Sequence, residues 1–213
     1  LLKKRREGRL YRFFIVFLCR QIPAGTKKMD AISLIDKYYA DTPRLREILW
    51  KHSRQVADRC LKIAALHPEL DLDIVFLEEA ALLHDIGIIR TDAPDIFCFG
   101  DAPYICHGHI GAEMLREEGY PRHARVCERH TGAGISRAQV VAQHLPIPAQ
   151  DFLPETLEEQ LVCYADKFYS KSHLDREKTV EKALKSVSKY GEEGACRFRR
   201  WMVVFNEDKP ERS

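Results

Sequence analysis

The feature that most limits how this chain can fold is the run ALLHDIGII at residues 81–89, where His84 and Asp85 interrupt an otherwise apolar stretch. A neutral imidazole removed from water needs hydrogen-bond partners, and an ionised carboxylate needs a cation or several donors. The doublet continues the inward face that carries Ala80, Ala81 and Leu83, so it cannot simply turn to solvent. Whatever fold forms must bring compensating groups to this point from elsewhere in the chain.

The surrounding pattern is helical almost throughout from Met29 onward. Asp41, Thr42 and Pro43 carry the start signals of a long helix. Its apolar positions Leu45, Ile48, Leu49, Val56, Cys60 and Ile63 recur at three- and four-residue steps until Pro68. A second helix is predicted over 73–89, with Gly87 loosening its end, followed by a loop over 90–103. Further helices are predicted over 104–118, 122–132, 136–143, 155–172 and 176–190. The tail RFRRWMVVF at 197–205 reads as a last amphipathic helix closing the core, with a homodimer surface as the alternative. No alternating strand pattern persists and no internal repeat occurs. The expectation is an all-α, compact multi-helix fold, with residues 29–213 as one helical domain.

Four more polar residues fall on inward positions. His52 lies four after Ile48 and four before Val56, and His107 precedes Ile110 and Met114 by three and seven. His130 follows Val126 by four, and Asp166 follows Val162 by four. Any one of these is explained by a hydrogen-bonded core histidine or by an aspartate capping a neighbouring helix. Six together, on five segments, point instead to residues surrounding divalent metal, where coordination offsets desolvation. His67, His123, His144 and His173 lie near prolines or among charges and are expected on the surface.

The ordered set His52, His84-Asp85, Asp166 resembles the H…HD…D pattern of the HD-domain metal-dependent phosphohydrolases, and HDIG is one subgroup's spelling of the doublet. HGHIGAEML, at residues 107–115, is similar to a segment of their dinuclear members, and ERHTGAG resembles their next histidine segment. The resemblance covers most of residues 29–190. It implies one metal held by His52, His84, Asp85 and Asp166, and a second held by His107 and His130 with Asp85 bridging. His109 competes with His107, but lies about 160° away on the same helix, and His107 has the family's four-residue spacing to Gly111. The implied chemistry is hydrolysis of a nucleotide or other small phosphoester by metal-activated water, with His84, Asp85 and Asp166 as catalytic residues. Mixed His/Asp ligation favours two iron or manganese ions over magnesium or zinc. Lys167, Arg54 and Lys171 are candidates for substrate phosphate, and Asp92 for a leaving-group acid or a turn.

The chain departs from the family at Ile88, where many HDIG proteins have Lys. The tripeptide Gly119-Tyr120-Pro121 is read as a helix-ending turn rather than as the G-Y-P element of the cyclic-dinucleotide phosphodiesterases, so cyclic di-GMP hydrolysis is disfavoured. A non-catalytic HD module binding a nucleotide or partner, and a di-iron HD-type oxygenase, remain alternatives from other classes.

Charge narrows the partners. The net charge is +2, yet residues 1–28 hold nine Lys or Arg and one acid, which leaves 25 basic against 31 acidic residues and −6 for the remainder. A groove for long nucleic acid is not indicated. The apolar run over 13–19 is too short to span a membrane and lacks a cleavage site. Residues 1–28 are therefore expected to be a disordered leader or upstream extension, and no membrane partner is expected. Seven cysteines without C-x-x-C argue against both a disulfide framework and a zinc ribbon. Cys60, Cys127 and Cys163 are expected to be small buried hydrophobes in a cytoplasmic protein.

Overall fold

The computed structural model describes residues 29–207; the expected leader at 1–28 lies outside them. Helix α1 (Ala31–Tyr39) begins where the Asp30 side chain accepts from the Ser33 amide. Helix α2 (Pro43–Leu66) begins with Pro43 in its first turn, and buries Leu45, Leu49, His52, Val56, Cys60 and Ile63 along one stripe. Helix α3 (Ile74–Leu83) is capped by Asp73, whose carboxylate accepts from the Phe76 amide.

The chain then departs from the sequence expectation. The α-helix stops at Leu83, and a 3-10 segment (Ile86–Arg90) follows the doublet. The cause is a close approach to the next helix: a Cβ on Gly87 would lie 2.2 Å from the His107 carbonyl oxygen and 2.4 Å from the Gly111 nitrogen. The region 90–103 is not plain loop. Strands β1 (Thr91–Ala93), β2 (Cys98–Phe99) and β3 (Ala102–Pro103) form a small sheet in the order β2-β1-β3, antiparallel on one side and parallel on the other.

Helix α4 (His107–Glu117) packs against α5 (Pro121–Arg129), with Gly119 (φ 85°) in the tight turn between them. The GYP tripeptide is thus the turn expected. Helices α6 (Arg137–Ala142) and α7 (Leu157–Asp166) both start with capping boxes. Helix α7 is shorter than predicted. It ends at Asp166 because Phe168 turns into the core, where Arg59 stacks on its ring at 3.3 Å and Tyr164 and Phe198 pack beside it. Helices α8 (Val180–Ser188) and α9 (Glu192–Val204) complete nine α-helices among the described residues.

Helix α9 closes the core as the tail pattern predicted, burying Phe198 and Trp201, with Phe205 buried just beyond its end. Cys60, Cys127 and Cys163 are fully buried thiols, as expected of small core residues. Two of the four expected surface histidines are instead buried. His67 reaches the Asn206 carbonyl at 2.8 Å, and His123 stands edge-on to Phe76 and 3.2 Å from Glu79. Both lie under neighbouring segments that local sequence does not announce; His144 and His173 are exposed. No helix among the described residues is long and apolar enough to cross a membrane.

Candidate metal centre

Five segments converge on the doublet. His52 comes from the middle of α2, His84 and Asp85 from the end of α3, His107 from the start of α4, His130 from the end of α5 and Asp166 from the end of α7. Five of the six stand at or just beyond helix ends, where the backbone can turn a side chain inward without breaking the interior of a helix.

Asp85 is central, and its two oxygens face different neighbours. Oδ2 lies 3.1 Å from His52 Nε2 and 3.0 Å from His84 Nε2. Asp166 Oδ1 completes that group, 3.0 Å from His52 Nε2 and 3.6 Å from His84 Nε2. Oδ1 of Asp85 lies 3.4 Å from His107 Nε2 and 3.3 Å from His130 Nε2. Two donor sets sharing one carboxylate result: His52, His84, Asp85 and Asp166, and then Asp85, His107 and His130.

The protonation pattern follows from the backbone. Nδ1 of His84, His107 and His130 lies 2.7, 2.6 and 2.7 Å from the carbonyl oxygens of Ala81, Tyr104 and Cys127. A carbonyl only accepts, so each Nδ1 carries a proton; His107 and His130 as neutral rings then present a lone pair at Nε2, and His84 does so once its Nε2 proton is given up to a cation. The His107 and His130 Nε2 atoms are 3.0 Å apart. In the neutral rings two lone pairs therefore face each other beside a carboxylate oxygen, with no proton to share. Burial pushes the His107 pKa down to about 3, and lowers that of His130. In the other set, His52 Nε2, His84 Nε2 and both Asp85 oxygens are buried without a properly directed hydrogen bond. Such a concentration of acceptors fits divalent metal, with second ring nitrogens held by backbone carbonyls in the manner of ligating histidines.

Nearby charges partly balance the site without metal. Burial disfavours the Asp85 and Asp166 carboxylates, but His84 and Lys171 hold Asp85 well below the usual range, and Lys167 does the same for Asp166. Burial likewise opposes a charged His84, yet Asp85 and Asp166 outweigh it and raise its pKa to about 9. Lys171 Nζ stands 2.5 Å from Asp85 Oδ2, and Lys167 Nζ lies 2.7 Å from Asp166 Oδ2 while donating to the His130 carbonyl at 3.2 Å.

His107, His130 and Asp166 form the floor of a cavity of about 750 Å3, whose walls include Tyr104, Lys167, Lys171 and Lys178. Of the predicted phosphate contacts, Lys167 and Lys171 are at this cavity and Arg54 is not. The Arg54 guanidinium is engaged by Asp58 at 2.8 Å and Glu78 at 2.7 Å on the outer side of α2, so it is withdrawn as a substrate contact. Asp92 is an exposed residue of β1 rather than part of the cavity. His109 lies away from both donor sets, 3.4 Å from Glu113. Ile88 is fully buried in the core, and the ammonium beside the doublet comes from Lys171 instead. Sequence reasoning missed Tyr104, stacked on His107 with ring centroids 4.7 Å apart, and Lys178. Neither stands in a periodic pattern that sets it apart from its neighbours.

The HD domain family model matches residues 49–170, more than half of the chain. An uncharacterized protein of Methanocaldococcus jannaschii is 32% identical over 148 residues, covering 64% of this chain and 80% of that one. A tRNA (cytidine(56)-2'-O)-methyltransferase of Thermoplasma volcanium is 31% identical over 170 residues, covering 79% of this chain. Its counterpart in Picrophilus torridus is 33% identical over 129 residues, covering 60% of this chain. The matches span only 43% and 33% of the two methyltransferases. Among solved structures, the HD domain of the L. monocytogenes phosphodiesterase PgpH, also solved with cyclic-di-AMP, has a TM-score of 0.48 at 17% identity. It covers 82% of this chain and 87% of the domain. With the doublet at the centre of its buried His/Asp cluster, the chain belongs to the HD domain family.

Proposed function

We propose that this protein is a metal-dependent phosphohydrolase with a dinuclear centre, acting on a nucleotide or other small phosphoester or phosphoanhydride. One ion would be held by His52, His84, Asp85 and Asp166, and the other by His107 and His130, with Asp85 shared. The observation that carries this reading is the two-sided environment of Asp85, whose oxygens each meet a separate set of imidazole Nε2 atoms. Iron or manganese suits the mixed His/Asp donors. Bound there, the ions would supply Lewis acidity toward the phosphoryl group and lower the pKa of water.

The chain's own residues would do the rest. The Ala81, Tyr104 and Cys127 carbonyls hold three imidazoles through Nδ1, with Nε2 aimed at the centre. Asp85 and Asp166 supply the fixed negative charge. Lys171 stands at the Asp85 oxygen that a cation would occupy, and with that oxygen held by a cation its ammonium would be free to face the cavity and a substrate phosphoryl group. Lys167 stays tied to Asp166 and to the backbone at His130, and keeps the floor of the cavity in register.

Elemental analysis together with a phosphoester panel tests the reading. Protein supplied with iron or manganese should retain two ions per chain and hydrolyse at least one nucleotide or small phosphoester. Asp85→Asn should lose both ions, and His130→Asn mainly one. Absence of turnover with any metal would overturn the assignment in favour of a binding module. Oxygen consumption with organic substrates in place of phosphate release would replace it with an oxygenase.

A further inference from the structure

We propose that Lys178 forms a second anion position in the cavity, so that the substrate carries a further phosphoryl group beyond the one attacked. The inference rests on the phosphohydrolase reading and deepens it from a phosphoester in general to a diphosphate-bearing compound. Three ammonium groups line the cavity: Lys167 is tied to Asp166, and Lys171 stands at Asp85, beside the phosphoryl group that would be attacked at the metal centre. Lys178 has no ion-pair partner among the described residues, although it is half-buried. The carboxylates lining the same space are Asp95 and Asp166, so the wall groups carry an excess of positive charge.

The segment bearing Lys178 is held by the helix that supplies His52. His52, Gln55 and Arg59 lie three and seven residues apart, on one side of α2. Gln55 Nε2 donates to the Leu174 carbonyl at 2.9 Å, and Arg59 pairs with Glu177 while stacking on Phe168. The Lys178 amide in turn donates to the Phe168 carbonyl at 2.8 Å. One helix thus sets both a metal-facing imidazole and the backbone of Lys178, which gives that lysine a fixed place relative to the floor. Burial, followed by the charges of Lys167 and Lys171, lowers the Lys178 pKa despite the pull of Asp166. An ammonium in that state gains when an anion arrives. The space is sufficient: about 750 Å3 far exceeds one phosphoryl group, and the hydroxyls of Ser170, Ser172 and Ser186 add donors to its walls.

The test compares pyrophosphate with orthophosphate on the manganese-loaded full chain, at one buffered free Mn2+ concentration so that chelation in solution cancels between variants. Wild-type protein is expected to bind pyrophosphate at least tenfold more tightly than orthophosphate. Lys178→Met should weaken pyrophosphate about tenfold and leave orthophosphate within twofold, with unchanged metal content and melting temperature, and Lys178→Arg should restore most of the preference. Equal weakening of both anions, or none, would overturn the second position while leaving the metal-phosphate reading intact. Failure of the loaded wild-type protein to bind either anion would overturn both.

Discussion

Gly87→Ala offers a sharp test of how the doublet is held. The added Cβ would meet the His107 oxygen at 2.2 Å, the Gly111 nitrogen at 2.4 Å and the Gly111 Cα at 2.9 Å. All three are backbone atoms, so no flexible side chain can yield. Restoring ordinary contact requires the 3-10 segment and α4 to separate by about 1 Å, and dense packing leaves no free space to absorb it. Overpacking of this kind typically costs about 1–3 kcal/mol, and the backbone location puts this case at or above the upper end. For a chain of this size, about 3 kcal/mol lowers Tm by roughly 6–12 °C. The separation moves His107 relative to Asp85, whereas His52, His84 and Asp166 come from elements on other sides of the doublet. Thermal unfolding and metal content should therefore show a destabilised protein that retains mainly the ion of the four-residue set. Gly119→Ala is the control, because Gly119 has φ 85° and nothing within 4 Å of its added Cβ; its cost is backbone strain of about 1–2 kcal/mol, without loss of metal. A Gly87→Ala protein with wild-type stability and full metal content would refute the close-approach argument.

Lys171→Met should raise metal affinity. With a metal–oxygen distance of about 2.1 Å and Lys171 Nζ 2.5 Å from Asp85 Oδ2, a dication on that oxygen lies no farther than about 4.6 Å from the ammonium. Repulsion at that distance is about 7 kcal/mol at an effective dielectric of 20, so removing the competitor should tighten metal binding tenfold or more in calorimetric titration; an unchanged Kd would count against it. His123 should make stability depend on pH. Burial and the Arg122 charge push its pKa down to about 4, against about 6.5 in the unfolded chain. Between those values the unfolded state binds more protons, so stability falls as pH drops through this window, by up to about 3 kcal/mol. His123→Gln should flatten that part of the denaturation profile, and an unaltered profile would remove His123 as its source.

Much of the site was legible because helical periodicity reports which side of a segment faces inward. The stripe through Ile48, His52 and Val56, and the steps from Val126 to His130 and Val162 to Asp166, carried the same information that the buried cluster displays. The resemblance to a family pattern then related those positions to one another, which periodicity alone does not do. The break of α3 at Leu83 was hidden, because it depends on Gly87 meeting the backbone of α4, a residue pair distant in sequence. The same holds for the early end of α7, where Phe168 leaves the helix for a core assembled by α2 and α9.

What the sequence determined by itself is the helical class, the inward placement of six His and Asp side chains and the need for positive charge at Asp85. A local pattern states the face and the cost of burial, and both follow from residues within a few turns. The tertiary structure alone decided how that need is met: which imidazoles face each Asp85 oxygen, that Lys171 rather than position 88 supplies the neighbouring ammonium, that Arg54 points away, and that Lys178 stands without an ion-pair partner among the described residues in the same cavity. Electrostatic partners act across space, and the distances that set them exist only once the chain has closed around the doublet.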